Sequence, residues 1–136
     1  MKYLSKEATK VMDLLTEGLD EDNPYRKIDN RPGTYMAVNV DRVSEMDAGV
    51  IFAVAHNFIQ EGDVMADPDM GFLKATDPQG HNLYFPTHYQ LDSVGLYQES
   101  AVFEDGKLTG IYRRMQSEHT TFANMWMKNI KVQQKL

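Results

Sequence analysis

Apolar positions along this chain change period twice, from 3.6 to 2 and back to 3.6. Between Ser5 and Gly18, the residues Ala8, Val11, Met12 and Leu15 fall on one helical face, which Leu14 and Leu19 widen. Ser5 is placed to cap that helix, Glu7 sits in its first turn and Gly18 is placed to end it. Residues 20–33 are polar and rich in turn formers, with only Tyr25 and Ile28 able to pin them down. They read as a surface connection.

From Thr34 the pattern alternates. Met36, Val38 and Val40 interleave with Tyr35, Ala37 and Asn39, as a half-buried strand requires. Residues 49–55 are apolar on both parities, which predicts a central strand covered on both faces and continuing through His56, Asn57, Phe58, Ile59 and Gln60. Glu61, Gly62 and Asp63 then reverse the chain in three residues, a length that suits a bulged hairpin. Asp77-Pro78-Gln79-Gly80 fits a type I turn between strands around 70–76 and 82–88. Asp105-Gly106 fits a two-residue type I′ loop, which pairs Glu104 with Lys107 and Phe103 with Leu108. The helical period returns at Phe122, Met125, Trp126 and Ile130, with Ser117 or Thr120 available as a cap. The expected architecture is a single two-layer α+β domain over residues 1–136: a helix, about six mainly antiparallel strands, and a helix.

Composition narrows the chemistry. The absence of cysteine excludes disulfides, a thiolate nucleophile, Cys-ligated zinc and iron–sulfur clusters. Twenty acidic residues against 14 basic ones give a net charge of −6, and the basic residues are scattered. Nucleic-acid binding needs a basic patch that releases counterions, so no nucleic-acid partner is expected. The mild cluster Lys128, Lys131 and Lys135 reads as favourable charge at a helix C-terminus. The first residues reach charge before any apolar run of signal-peptide length, and no stretch approaches a membrane span. A cytoplasmic location is the expectation.

The one dense polar constellation is His56-Asn57, then Gly62-Asp63, then Asp67-Pro68-Asp69-Met70. Oxygen and imidazole ligands on a folded-back hairpin suit a divalent metal, or two carboxylates doing acid and base work. Against that stand ordinary structural roles. Asp63 fits a turn, Asp67 before Pro68 fits a turn start, and His56 shares strand parity with Phe52, Val54 and Phe58. An EF-hand is excluded because Gly71 falls fifth and Pro78 twelfth from Asp67. His81, His88 and His119 lack ligand spacing, no serine sits in a nucleophile elbow, and no phosphate-cradling glycine loop is present. No cofactor is expected.

The motif His56-Asn57-x4-Gly62-Asp63-x3-Asp67-Pro68-Asp69-Met70, followed by Phe122-Ala123-x-Met125-Trp126-x2-Asn129-Ile130-x2-Gln133, resembles an uncharacterised domain family. That family is associated with bacterial genomes and with conjugative transposons, plasmids and phage. The resemblance spans roughly the C-terminal two thirds of the chain and implies a β-rich core flanked by helices. It brings no established activity, so no catalytic residue carries over. The expected role is a non-enzymatic accessory domain that binds another protein, or itself, through a sheet face or the hairpin rim. The alternative is a metal-dependent hydrolase or nuclease using His56, Asp63, Asp67 and Asp69. Where His56 points separates the two.

Overall fold

The computed structural model describes residues 1–136. Helix α1 (Lys6–Thr16) starts where the Ser5 hydroxyl accepts the Ala8 amide at 3.2 Å, so one orphan donor of the first turn is satisfied. Ala8, Val11, Met12 and Leu15 are buried as their spacing predicts, whereas Leu14 is exposed. The helix stops at Thr16, ahead of Gly18. Its last carbonyls are taken from outside: the Arg26 guanidinium donates to Leu14 at 3.2 Å, to Leu15 at 2.9 Å and to Glu17. A cation there also complements the helix dipole.

Arg26 belongs to strand β1 (Tyr25–Ile28), in a stretch whose sequence reads as an irregular connection. Four residues with no buried position carry no periodic signal. Pairing with strand β2 (Val38–Met46), Arg26 opposite Val40, is what makes them a strand. β2 begins at Val38 rather than Thr34: the Thr34 and Tyr35 amides close a turn on the Arg31 carbonyl, each at 3.2 Å, and Met36 is exposed.

Strands β3 (Gly49–Gln60), β4 (Asp63–Thr76), β5 (Asn82–Leu91) and β6 (Leu96–Glu99) complete an antiparallel sheet in sequential order β1 to β6. The apolar run of β3 is interior, as predicted. The β3–β4 loop is tighter than the three residues expected: Gln60 pairs with Asp63, and only Glu61 and Gly62 turn, both at positive φ (52° and 85°). Two such residues define a type I′ loop. The Asp77 turn forms as expected, the Gly80 amide donating to the Asp77 carbonyl at 3.0 Å. Strands β7 (Ala101–Glu104) and β8 (Lys107–Ile111) form a separate hairpin in the predicted register.

Helix α2 (Arg113–Gln134) starts before either proposed cap, and no side chain caps it. Thr120 instead lies inside, its hydroxyl donating back to the Gln116 carbonyl at 2.8 Å. Both helices pack on one face of the sheet. Val11, Met12 and Leu15 of α1 and Trp126, Met127 and Ile130 of α2 meet Val38, Val40, Val54, Met70, Phe72 and Tyr84 in one core. The opposite face is partly roofed by the β7–β8 hairpin, whose tip accepts the Asp47 amide at the Gly106 carbonyl, 2.8 Å away. No helix is long and apolar enough to cross a membrane.

Candidate functional site

His56 sits near the far end of β3, opposite Val38. On the β4 side the register slips between Ala55 and Asn57, so His56 is the residue around which the two strands readjust. Its side chain points to the helix-covered face and is only 5% exposed. The Trp126 indole N–H donates to His56 Nδ1 at 3.4 Å, and the two rings meet edge-on with centroids 5.3 Å apart. Because Nδ1 accepts, the neutral ring carries its proton on Nε2, a buried donor with no partner. Desolvation pushes the imidazole below its ordinary pKa.

The aspartates of the motif lie elsewhere. Asp63 is exposed at the hairpin tip. Asp67, joined to Pro68 by a cis peptide bond, accepts from the Ser93 hydroxyl and from the Ser93 amide at 3.4 Å. The neighbouring Asp92 answers by accepting the Ala66 amide at 2.7 Å. These reciprocal bonds fasten β4 to the short 3-10 turn at Asp92–Val94. Asp69 stands opposite Ala55 on the helix-free face, with its carboxylate 2.9 Å from His88 Nε2. Asn57 accepts from Asn39 at 2.6 Å and donates to the Met65 carbonyl at 3.4 Å. Gly62 supplies positive φ to the loop. Thus His56, Asp63, Asp67 and Asp69 are not brought together. Nowhere in the molecule do three or more His, Asp or Glu side chains group so as to hold a metal ion.

The register assembles a different constellation on the helix-free face. Asp41, Ala53, Gly71, His88 and Glu99 form one row across five strands. Asn39, Ala55, Asp69, Gln90 and Tyr97 form the next. Ala53, Ala55 and Gly71 make a floor of small residues between polar sides. Gly71 is required there: a Cβ would lie 2.4 Å from His88 Nδ1 and 2.6 Å from Thr87 Oγ1. A register shift at the same place turns the β5 backbone, and such bulges re-aim side chains. His88 also tilts against Tyr97, ring centroids 5.7 Å apart. Burial, reinforced by the Asp69 charge, raises the Asp41 carboxyl. Burial, then the charges of Glu99 and Asp69, raise the Tyr97 phenol.

Beside these rows a groove of about 240 Å³ opens between sheet and hairpin. Val43, Ile51, Ala101 and Phe103 line it together with His88, Tyr97 and Glu99. No single segment of sequence signals this arrangement, because its members come from five strands and only the register joins them.

A third histidine is structural. His119 of α2 lies with Nδ1 2.9 Å from Ser100 Oγ and Nε2 2.9 Å from Gln98 Oε1. Gln98 can only accept through that oxygen, so Nε2 donates and Nδ1 takes the serine proton. Ser100 is fully buried, out of reach of any substrate.

The β3–β4 hairpin runs past the end of β2, whose pairing with β3 stops at His56, and past the last β4–β5 pair at Asp69. It therefore projects as a two-stranded ribbon. Ile59 and Val64 face each other across it and are 76% and 72% exposed. Val94, in the turn fastened to β4, is 71% exposed.

No curated protein and no solved structure matches the chain. A family model described as a domain of unknown function matches residues 4–136, a span that includes both halves of the His56–Met70 and Phe122–Gln133 pattern. The chain belongs to this family, DUF6908.

Proposed function

We propose that the protein is a non-enzymatic, cytoplasmic accessory domain that docks on another protein, or on a second copy of itself, through the β3–β4 ribbon. The observation that carries this reading is the Ile59–Val64 pair. Two β-branched apolar side chains face each other on a ribbon that extends beyond the sheet, both more than two thirds exposed. Scattered exposed apolar residues are ordinary on a protein surface, but a cross-strand pair at a projecting tip presents a contiguous patch with a free strand edge beside it. The adjacent polar motif supports the ribbon rather than competing with it. His56 is tied to Trp126 at its base, and Asp67 and Asp92 fasten its β4 strand. The motif resemblance suggests that the protein itself is associated with a mobile genetic element. The net charge of −6 gives no support to a nucleic-acid partner. The hydrolase or nuclease reading is not favoured, because its four residues are dispersed over the helix-covered face, the hairpin tip and the helix-free face.

Site-specific photo-crosslinking in cells of the source organism tests the proposal. A photoreactive residue at position 59 should give one discrete adduct, either a partner protein or a homodimer. The same probe at Val132, an equally exposed apolar position on α2, should not. The adduct should vanish when Val64→Asp is added. Identical adducts from both positions, or an adduct indifferent to Val64→Asp, would overturn the reading.

A further inference from the structure

The groove under the β7–β8 hairpin is independent of the ribbon and carries its own argument. Its volume, about 240 Å³, falls below the roughly 300 Å³ at which pockets for drug-sized ligands begin. It fits one ring or a short hydrocarbon chain and excludes a nucleotide. Val43, Ile51, Ala101 and Phe103 make the lining apolar, so the occupant needs an apolar body. The polar members set the charge of its head. Glu99 lines the groove and faces His88 across the β5–β6 pair. Asp69 holds His88 from behind at 2.9 Å. Of the groove's own residues only Glu99 carries a fixed charge, so an anionic head would be repelled there, whereas a cationic head gains Glu99 with the Tyr97 side chain beside it. A metal ion is not the cation suggested, since these groups do not gather at ligand distance of one point.

The wall of this groove is also built, not incidental. The His88 ring occupies the space that any side chain at position 71 would take, and its Nε2 is pinned by Asp69. Glycine inside a strand weakens it, so a glycine that seats a pinned imidazole marks a place where close approach matters. We infer that the groove binds a small organic cation, an ammonium or guanidinium group on a short apolar stem, with Glu99 and Tyr97 receiving the head and Ile51 and Phe103 the body. The occupant is a free small molecule, in keeping with a groove of only about 240 Å³.

The test is an NMR titration of the full chain with three isosteric probes: 2-phenylethylamine, 2-phenylethanol and phenylacetate. The amine should give saturable shifts at Ile51, Ala101 and Phe103, with the alcohol weaker by about tenfold, the scale of one charge-assisted hydrogen bond, and phenylacetate silent. Glu99→Gln should weaken the amine by a similar factor while leaving the alcohol unchanged. Gly71→Ala, which displaces His88, should abolish the shifts; if that variant does not fold, Glu99→Gln decides. Equal binding of all three phenyl probes, no binding by any cation, or an amine affinity untouched by Glu99→Gln would overturn the inference.

Discussion

The Trp126 indole of α2 donates its N–H to His56 Nδ1 of β3 across the helix–sheet interface, 3.4 Å between heavy atoms. One contact thus joins the two halves of the sequence pattern, His56–Met70 and Phe122–Gln133, and gives both a structural reason. It also fixes the imidazole in its Nε2–H form and leaves that proton without an acceptor. A buried donor without a partner costs stability, so the contact specifies the helix position at some expense.

Replacing His56 by Ala removes the acceptor of the indole and leaves a void against Trp126. Urea unfolding should show a loss of about 2–4 kcal/mol, combining a cavity with an orphaned donor. His56→Gln retains an oxygen acceptor and should lose clearly less. Equal losses for the two variants would mean that the indole hydrogen bond contributes nothing.

Acid should weaken the fold through its buried histidines. Desolvation holds His56 and His119 below the ordinary value of 6.5, so between that value and the folded one the unfolded chain binds more protons. Their contribution is fully present above pH 6.5 and is lost as pH falls through the window beneath it. Melting temperature should therefore decline from pH 7 to pH 5, and His56→Gln should flatten the decline. A profile unchanged by His56→Gln would contradict this assignment.

The reciprocal pair at the ribbon base has a local readout. Asp92→Asn weakens the acceptor of the Ala66 amide, and Asp92→Ala deletes it. Hydrogen exchange at Ala66 should accelerate by about tenfold or more in Asp92→Ala, since local opening no longer breaks that bond. Amides in the middle of β3 should keep their protection.

Gly71→Ala places a methyl group against His88 and Thr87. Overpacking of this kind costs about 1–3 kcal/mol. Thermal unfolding should show the loss, and His88→Ala should restore part of it, because the imidazole is the nearest obstacle at 2.4 Å. No recovery in the double variant would place the strain at Thr87 or in the backbone.

Much of the fold is legible in local pattern. Residues 49–55, apolar on both parities, form an interior strand, and Asp105-Gly106 sets the register of its hairpin because only a type I′ loop fits that pair. What is not legible depends on partners distant in sequence. Tyr25–Ile28 becomes a strand only by pairing with β2, and Arg26 caps a helix that ends ten residues before it, at Thr16. α2 starts at Arg113 although Ser117 and Thr120 are the better caps, because the Tyr112 amide is bound to the Ser100 carbonyl at 2.9 Å and the chain enters the helix from there. The polar motif was visible as a cluster in sequence. Alternation then sent His56 to one face and Asp69 to the other, Asp63 came to lie at the tip of a ribbon, and Asp67 helps fasten its β4 strand. Asp69 found its partner in His88, nineteen residues away and on the next strand, which no spacing rule signals.

The most direct test of the central claim is the dissociation constant of the partner identified by crosslinking, or of the dimer, for wild type and for Ile59→Ser/Val64→Ser. The ribbon account predicts binding weakened by at least about tenfold, as expected when two apolar side chains stop being buried, with the melting temperature of the dilute, unassociated chain unchanged. Equal affinity in the double variant would contradict it.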